Sequence, residues 1–199
     1  MTFTISIFNI LFSVNHFDTN FIVKLLSNNL EEMNELSSLS TQSKIVIDSP
    51  IEQTWAVLSN PSHLEHFHPF CQSNRAINWD SKQKIDELKY INGLVYERHF
   101  YSWEEGNGFK LYIGKKEGKK SKVEWSLKPL DNKTQLTIKI TPYKSSKFSS
   151  PFLTLFMFIS ILPRLKKYLN HVTRGFKYYL ETGKTIRRNQ FGTHDWFSI

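Results

Sequence analysis

The chain has 199 residues, of which 40% are hydrophobic and 15% aromatic, enough for one ordinary core, and no segment repeats at a fixed period, which sets aside solenoids and propellers. A single cysteine, Cys71, excludes an internal disulfide framework and a CxxC metal ribbon, so a reducing, cytoplasmic setting is expected, with Cys71 as a small buried apolar residue. The formal charge of +8 favours an anionic partner, a matter of association rather than of fold.

Residues 1–42 differ in character from the rest. Asn9, Asn15, His16, Asp18 and Asn20 interrupt an otherwise Phe- and Ile-rich stretch, and the first basic residue is Lys24. A secretory signal needs a positive region ahead of its apolar run, and a spanning helix needs ~20 predominantly apolar residues, so neither fits. A poorly ordered N-terminal extension is expected, with Met33 as a candidate start of translation.

From Ser43 the pattern becomes orderly. SKIVID is a short β-rich run, and a helix should follow directly, with Ser49 as N-cap, Pro50 in the first position and Glu52 completing a capping box. Ile51, Trp55 and Leu58 share a face of that helix, which closes at Ser59-Asn60-Pro61. A second short helix runs from Ser62 to about Phe67, where Pro69 pushes His68 out of the helical region. Six strands are then expected: Cys71 to Trp79, Ile85 to Ile91, Leu94 to Trp103, Phe109 to Lys115, Ser121 to Pro129 and Thr134 to Thr141. Asn92-Gly93 suits a tight primed hairpin turn. Alternation is clean in the last three strands, as in Val123, Trp125 and Leu127, so one face of the sheet is apolar and the other wet.

Pro151 to Leu162, PFLTLFMFISIL, is apolar all round and too short for the ~30 Å hydrocarbon core, so a buried first segment of the terminal helix is expected. Between Arg164 and Thr182, Leu165, Leu169, Val172, Phe176 and Tyr179 recur at steps of three and four, the mark of an amphipathic helix. Pro163 is tolerated in its first turn and Gly183 supplies the stop. In the tail, residues 184–199, Phe191, Trp196 and Phe197 should pack on the domain or on a partner. The expected architecture is α+β: a seven-stranded curved antiparallel sheet, built as a meander around one long C-terminal helix.

This order of elements, together with IVIDSPIEQTWAVLSNPSHLEHFHPF at its front, resembles the START-like (SRPBCC) superfamily, and within it the polyketide cyclase/dehydrase and lipid-transport group. The resemblance covers about Ser43 to Gly183, and its carriers are Ser49-Pro50, Trp55-x-x-Leu58 before Asn60-Pro61, and the run Phe67 to Phe70. It implies a helix-grip domain over residues 43–183, with a cavity between sheet and terminal helix and the two small helices as its mouth. It also implies binding of a lipid, sterol or polyketide-like molecule, with chemistry in only some members.

The residues agree with a concave apolar site, whose lining would come from Phe67, Phe70, Val123, Trp125, Leu127 and Phe176, although stripes at this spacing more often fill a solid core. On the Leu94 to Trp103 strand two faces are open. Tyr96 and Arg98 inward would offer a hydrogen bond and a cation to a ligand's carboxylate or phenolate; Glu97 and His99 inward would form an acid/base pair for a cyclase, aromatase or dehydratase. His63, His66 and His68 crowd together without zinc-site spacing, so no metal and no cofactor is expected. Lys115, Lys116, Lys119, Lys120 and Lys122 suit a solvated hairpin or peripheral contact with an anionic membrane. Nucleic acid is disfavoured as a partner, because the aromatics follow the core alternation instead of forming an exposed stacking platform.

Overall fold

The computed structural model describes residues 39–80, 82–143 and 156–198. The expected N-terminal extension up to residue 38, and the start of the apolar 151–162 segment, lie outside them. One compact unit runs from Leu39 to Ile199 and takes in the C-terminal tail.

The elements follow the expected order: β1 (Thr41–Ile47), α1 (Ile51–Leu58), α2 (Leu64–Phe67), β2 (Cys71–Trp79), β3 (Lys84–Tyr90), β4 (Val95–Glu104), β5 (Gly108–Gly114), β6 (Ser121–Leu130), β7 (Lys133–Thr141), a π-helical turn (Met157–Ile161) and α3 (Leu162–Thr182). β2 to β7 form a meander, and β1 closes the far edge against β7, giving the order β1-β7-β6-β5-β4-β3-β2. Every neighbouring pair is antiparallel. This is the expected helix-grip arrangement, with Leu165, Leu169, Val172 and Phe176 of α3 buried on the sheet.

Local geometry departs from expectation at three places. Ser49 does not cap α1: its hydroxyl turns to Gln53 Oε1 at 3.4 Å, and no side chain caps the helix. Thr134 Oγ1 donates to the Ser49 carbonyl at 2.8 Å, so the serine backbone is committed to β7 instead. The Asn92-Gly93 connection is a three-residue loop closed by Tyr90 N–H to Leu94 O at 2.8 Å, with a positive φ of 85° at Gly93 alone. Either primed turn centred on Asn92-Gly93 would need a positive φ at Asn92, which it does not have. Asn92 instead spends its side chain on the Leu94 N–H and the Trp196 carbonyl.

The third departure is the apolar segment ahead of α3. Met157 and Leu162 are buried with Leu39, whereas Phe156, Phe158 and Ile159 are exposed, Ile159 at 69%. Pro163 has no N–H to give the Ile159 carbonyl, and the Leu162 N–H reaches back to Met157 O, widening this turn into a π-helix. One side of the segment is buried, then, and the other faces solvent.

α3 is fastened along its length. Ser43 Oγ donates to Asn170 Oδ1 at 2.8 Å and lies 3.0 Å from Thr173 Oγ1, and Lys177 Nζ donates to Val46 O at 2.6 Å. Its end is set by Gly183, left-handed at φ 68°, whose N–H closes on Tyr179 O. Closest of all is Gly175, where an added Cβ would fall 2.0 Å from the Phe67 carbonyl oxygen of α2. Gly175→Ala is therefore expected to prise α3 from α2 and destabilise the fold by about 1–3 kcal/mol, read as a lower urea midpoint.

Candidate functional site

Asp86 and Arg98 are direct register partners on β3 and β4, and both point to the concave face of the sheet. Arg98 donates from Nε to Asp86 Oδ1 at 2.7 Å and from Nη2 to Oδ2 at 2.5 Å, a bidentate pair with both side chains sealed from water. Nη2 also lies 3.3 Å from His63 Nε2. A guanidinium can only donate, so Nε2 accepts, and the imidazole proton sits on Nδ1, which donates to Asn60 O at 2.6 Å. Burial, and then the Arg98 charge, push His63 down to about 3. It is a neutral acceptor.

A second polar chain runs beside the first. Phe70 N–H donates to His68 Nδ1 at 3.3 Å, which leaves the proton on Nε2 to donate to Tyr168 Oη at 2.8 Å. Tyr168 Oη in turn lies 3.2 Å from Tyr90 Oη. Burial pushes His68 down to about 3 and raises both phenols, so all three groups are uncharged at neutral pH. The His68–Tyr168 and Tyr168–Tyr90 contacts use two of the three hydrogens on these groups, so one O–H remains to donate elsewhere.

Both chains face a cavity of about 430 Å³ between the sheet and α3. Its depth is lined by Leu88, Leu111, Ile138, Leu165, Leu169 and Val172, with the polar atoms of Arg98, Tyr90 and Tyr168 among them. The exposed wall residues are Lys115, Gly118, Lys119 and Tyr143, with Ile161 and Trp196 half-buried beside them, and these mark the mouth. That corrects the expectation that the two small helices form it. α1 contributes no lining residue; its Trp55 packs edge-on to Trp103 at 5.3 Å and donates to Glu105 at 2.6 Å, plugging the other end.

The sequence candidates divide accordingly. Tyr96, Arg98, Val123 and Trp125 line the cavity. Phe67, Phe70, Leu127 and Phe176 do not: they are buried in solid core, where Phe67 meets Phe176 edge-on at 4.6 Å. Glu97 and His99 point to the opposite face of β4, hydrogen-bonded to each other at 2.9 Å and away from the cavity. His63 and His68 belong to separate buried networks and His66 stacks on Tyr179 at 5.2 Å; among the described residues no cluster could hold a metal ion. Cys71 is buried, its thiol pushed up to about 12 by desolvation, and unreactive.

Sequence reasoning missed Asp86, Tyr90 and Tyr168. Asp86 had a signal in its alternation with Leu88 and Tyr90 on β3, which places a carboxylate among inward residues. Tyr168 had one in its spacing on α3, three residues after Leu165 and four before Val172, which places it in the buried stripe.

No family model matches the sequence, and no curated protein matches it. Solved structures do match. The Zhui aromatase/cyclase from Streptomyces sp. R1128 superposes at TM-score 0.52 and 13% identity, covering 74% of this chain and 98% of its own. The fold is START-like. A START superfamily protein from Mycobacterium smegmatis gives TM-score 0.54 at 12% identity, over 73% of this chain and 99% of its own. DynU16, from the dynemicin biosynthetic locus, gives 0.56 at 15% identity over 73% of this chain, which spans about half of that protein, 48%. At such identities the likeness is one of START-like fold.

The two buried neutral histidines couple this site to pH. Unfolded, each binds a proton below about 6.5; folded, each resists until about 3. Their contribution is therefore present above pH 6.5 and is lost as pH falls towards 3. At 1.36 kcal/mol per pKa unit, stability should drop by about 2 kcal/mol per histidine between pH 8 and pH 5, measurable by urea unfolding at both values.

Proposed function

We propose that the protein binds a hydrophobic small molecule, lipid, sterol or polyketide-like, in the cavity between sheet and α3. The observation that carries this is the cavity itself: about 430 Å³ of mostly apolar wall, within the range of small-molecule sites, beside two buried polar chains. Tyr96, Arg98, Val123 and Trp125 are the proposed contacts from the original candidates, joined by Tyr90 and Tyr168. Phe67, Phe70, Leu127 and Phe176 support that wall from behind. Arg98 already has its charge matched by Asp86, so the depth of the cavity favours an uncharged group. Among the described residues no group accepts from Arg98 Nη1, leaving it and one tyrosine hydroxyl as donors to a ligand oxygen. A cyclase-type reaction on such a ligand would have to use these groups, since Glu97 and His99 lie outside.

Protein purified from its own host is expected to carry a non-covalent apolar molecule in native mass spectrometry. Preparations that are consistently empty, and that take up no apolar ligand afterwards, would remove the carrier reading.

A second reading, peripheral lipid transfer at an anionic membrane, is favoured by one observation. The exposed Phe156, Phe158 and Ile159 directly precede Ile161, which lines the same cavity as Lys115 and Lys119. Apolar insertion and lysine attraction would then act at one rim. Phosphatidylserine vesicles should sediment the protein at low salt, less at high salt, and less with Ile159→Glu. Among the described residues no helix is long and apolar enough to cross a membrane.

A further inference from the structure

We propose that the ligand is an anionic amphiphile, held with its charged end at the mouth by Lys115 and Lys119 and its uncharged end at depth. The proposal rests on the ligand-binding reading above and adds the charge and orientation of what is bound.

Among the described residues, the cavity wall includes no aspartate or glutamate and three cations: Arg98, Lys115 and Lys119. Arg98 is the deep one, and its charge is already cancelled by the bidentate contact with Asp86. A ligand carboxylate placed there would face Asp86 across a shared guanidinium, in a buried space whose histidines are neutral, and would leave one negative charge unbalanced. The depth thus rejects an anion.

The mouth does the opposite. Lys115 and Lys119 end the two sides of the tight β5–β6 turn, with the Gly118 N–H closing on the Lys115 carbonyl at 3.0 Å, so both side chains originate at one rim. Both are exposed, and among the described residues neither has a carboxylate partner. Lys119 Nζ stands 6.0 Å from the Tyr143 ring, itself part of the mouth. An anionic group on the end of an apolar chain would keep its hydration there while gaining two cations, and its chain would replace water against Leu165, Leu169 and Val172. A medium-chain carboxylate such as dodecanoate has this form, an apolar tail with a single charged end.

Dodecanoate and methyl dodecanoate separate the possibilities, titrated against the full chain by quenching of the cavity tryptophans Trp125 and Trp196. Dodecanoate should bind about tenfold tighter than the ester at low salt, an advantage that shrinks at high salt. In the double variant Lys115→Gln/Lys119→Gln, the acid and ester affinities should converge. Equal affinities in the unmodified protein overturn the proposal, and so does an acid preference that survives in the double variant, which would place the anion elsewhere. Ester binding without acid preference leaves the ligand-binding reading standing while this one falls; failure of both probes to bind removes the two together. Both lysines are exposed, so circular dichroism melting of the variant checks that it folds as the parent does.

Discussion

Asp86 and Arg98 face each other across β3 and β4 in direct contact, and a buried pair of this kind is tolerated only when its charges match and further hydrogen bonds hold the groups sealed from water. His63 meets that demand by presenting a neutral nitrogen to Nη2 and anchoring its own proton on Asn60. The consequence is structural as well as electrostatic. The pair fixes the β3–β4 register, because a slip of β4 by one residue would turn Arg98 to the other face and leave the Asp86 carboxylate buried without its cation. It also ties the turn before α2 to the sheet, and it leaves the interior of the cavity with no net charge.

The same concave face is divided into a packed half and an open half. Towards α1, the aromatic side chains of Phe67, Phe109, Trp125 and Phe176 fill the space, with Trp103 stacked on Phe109 at 5.3 Å. Towards the β5–β6 hairpin the wall turns aliphatic, and α3 no longer meets the sheet closely enough to exclude a cavity. Gly175 sits on the packed side, where α3 comes nearest to α2. Close approach at one end of a rigid helix, over a sheet that curves, leaves room at the other.

The C-terminal tail completes the enclosure. Ile186 N–H and Asn189 N–H donate to the His66 and Pro69 carbonyls, and His194 lies 3.0 Å from the Arg164 carbonyl. Phe197 can then stack on Tyr90 at 4.5 Å, beside the hydroxyl that ends the His68–Tyr168 chain. The tail is part of the cavity's wall, with Trp196 at the mouth and Phe197 within.

Much of the architecture was legible in the residues alone. Turn signals, with clean alternation in the last three, placed six strands within a residue or two of their observed limits, and the three-and-four spacing of α3, with Pro163 in its first turn and Gly183 after its end, located the helix the sheet grips. These are local signals, since side-chain period follows from backbone geometry. Packed core could not be told from cavity wall by the same means: Val123, Trp125 and Leu127 follow one pattern on one strand, yet the first two line the cavity and the third is sealed beyond it. Nor could the phase of β4 be read, because Tyr96, Glu97, Arg98 and His99 are polar on both faces. Asp86, directly across the β3–β4 ladder, decided which pair turned inward, as a buried guanidinium needs a carboxylate within reach while Glu97 and His99 can be satisfied by each other and by water. The sequence determined which elements form; pairing across strands, and the distance at which α3 rides over the sheet, decided which of their side chains line the cavity.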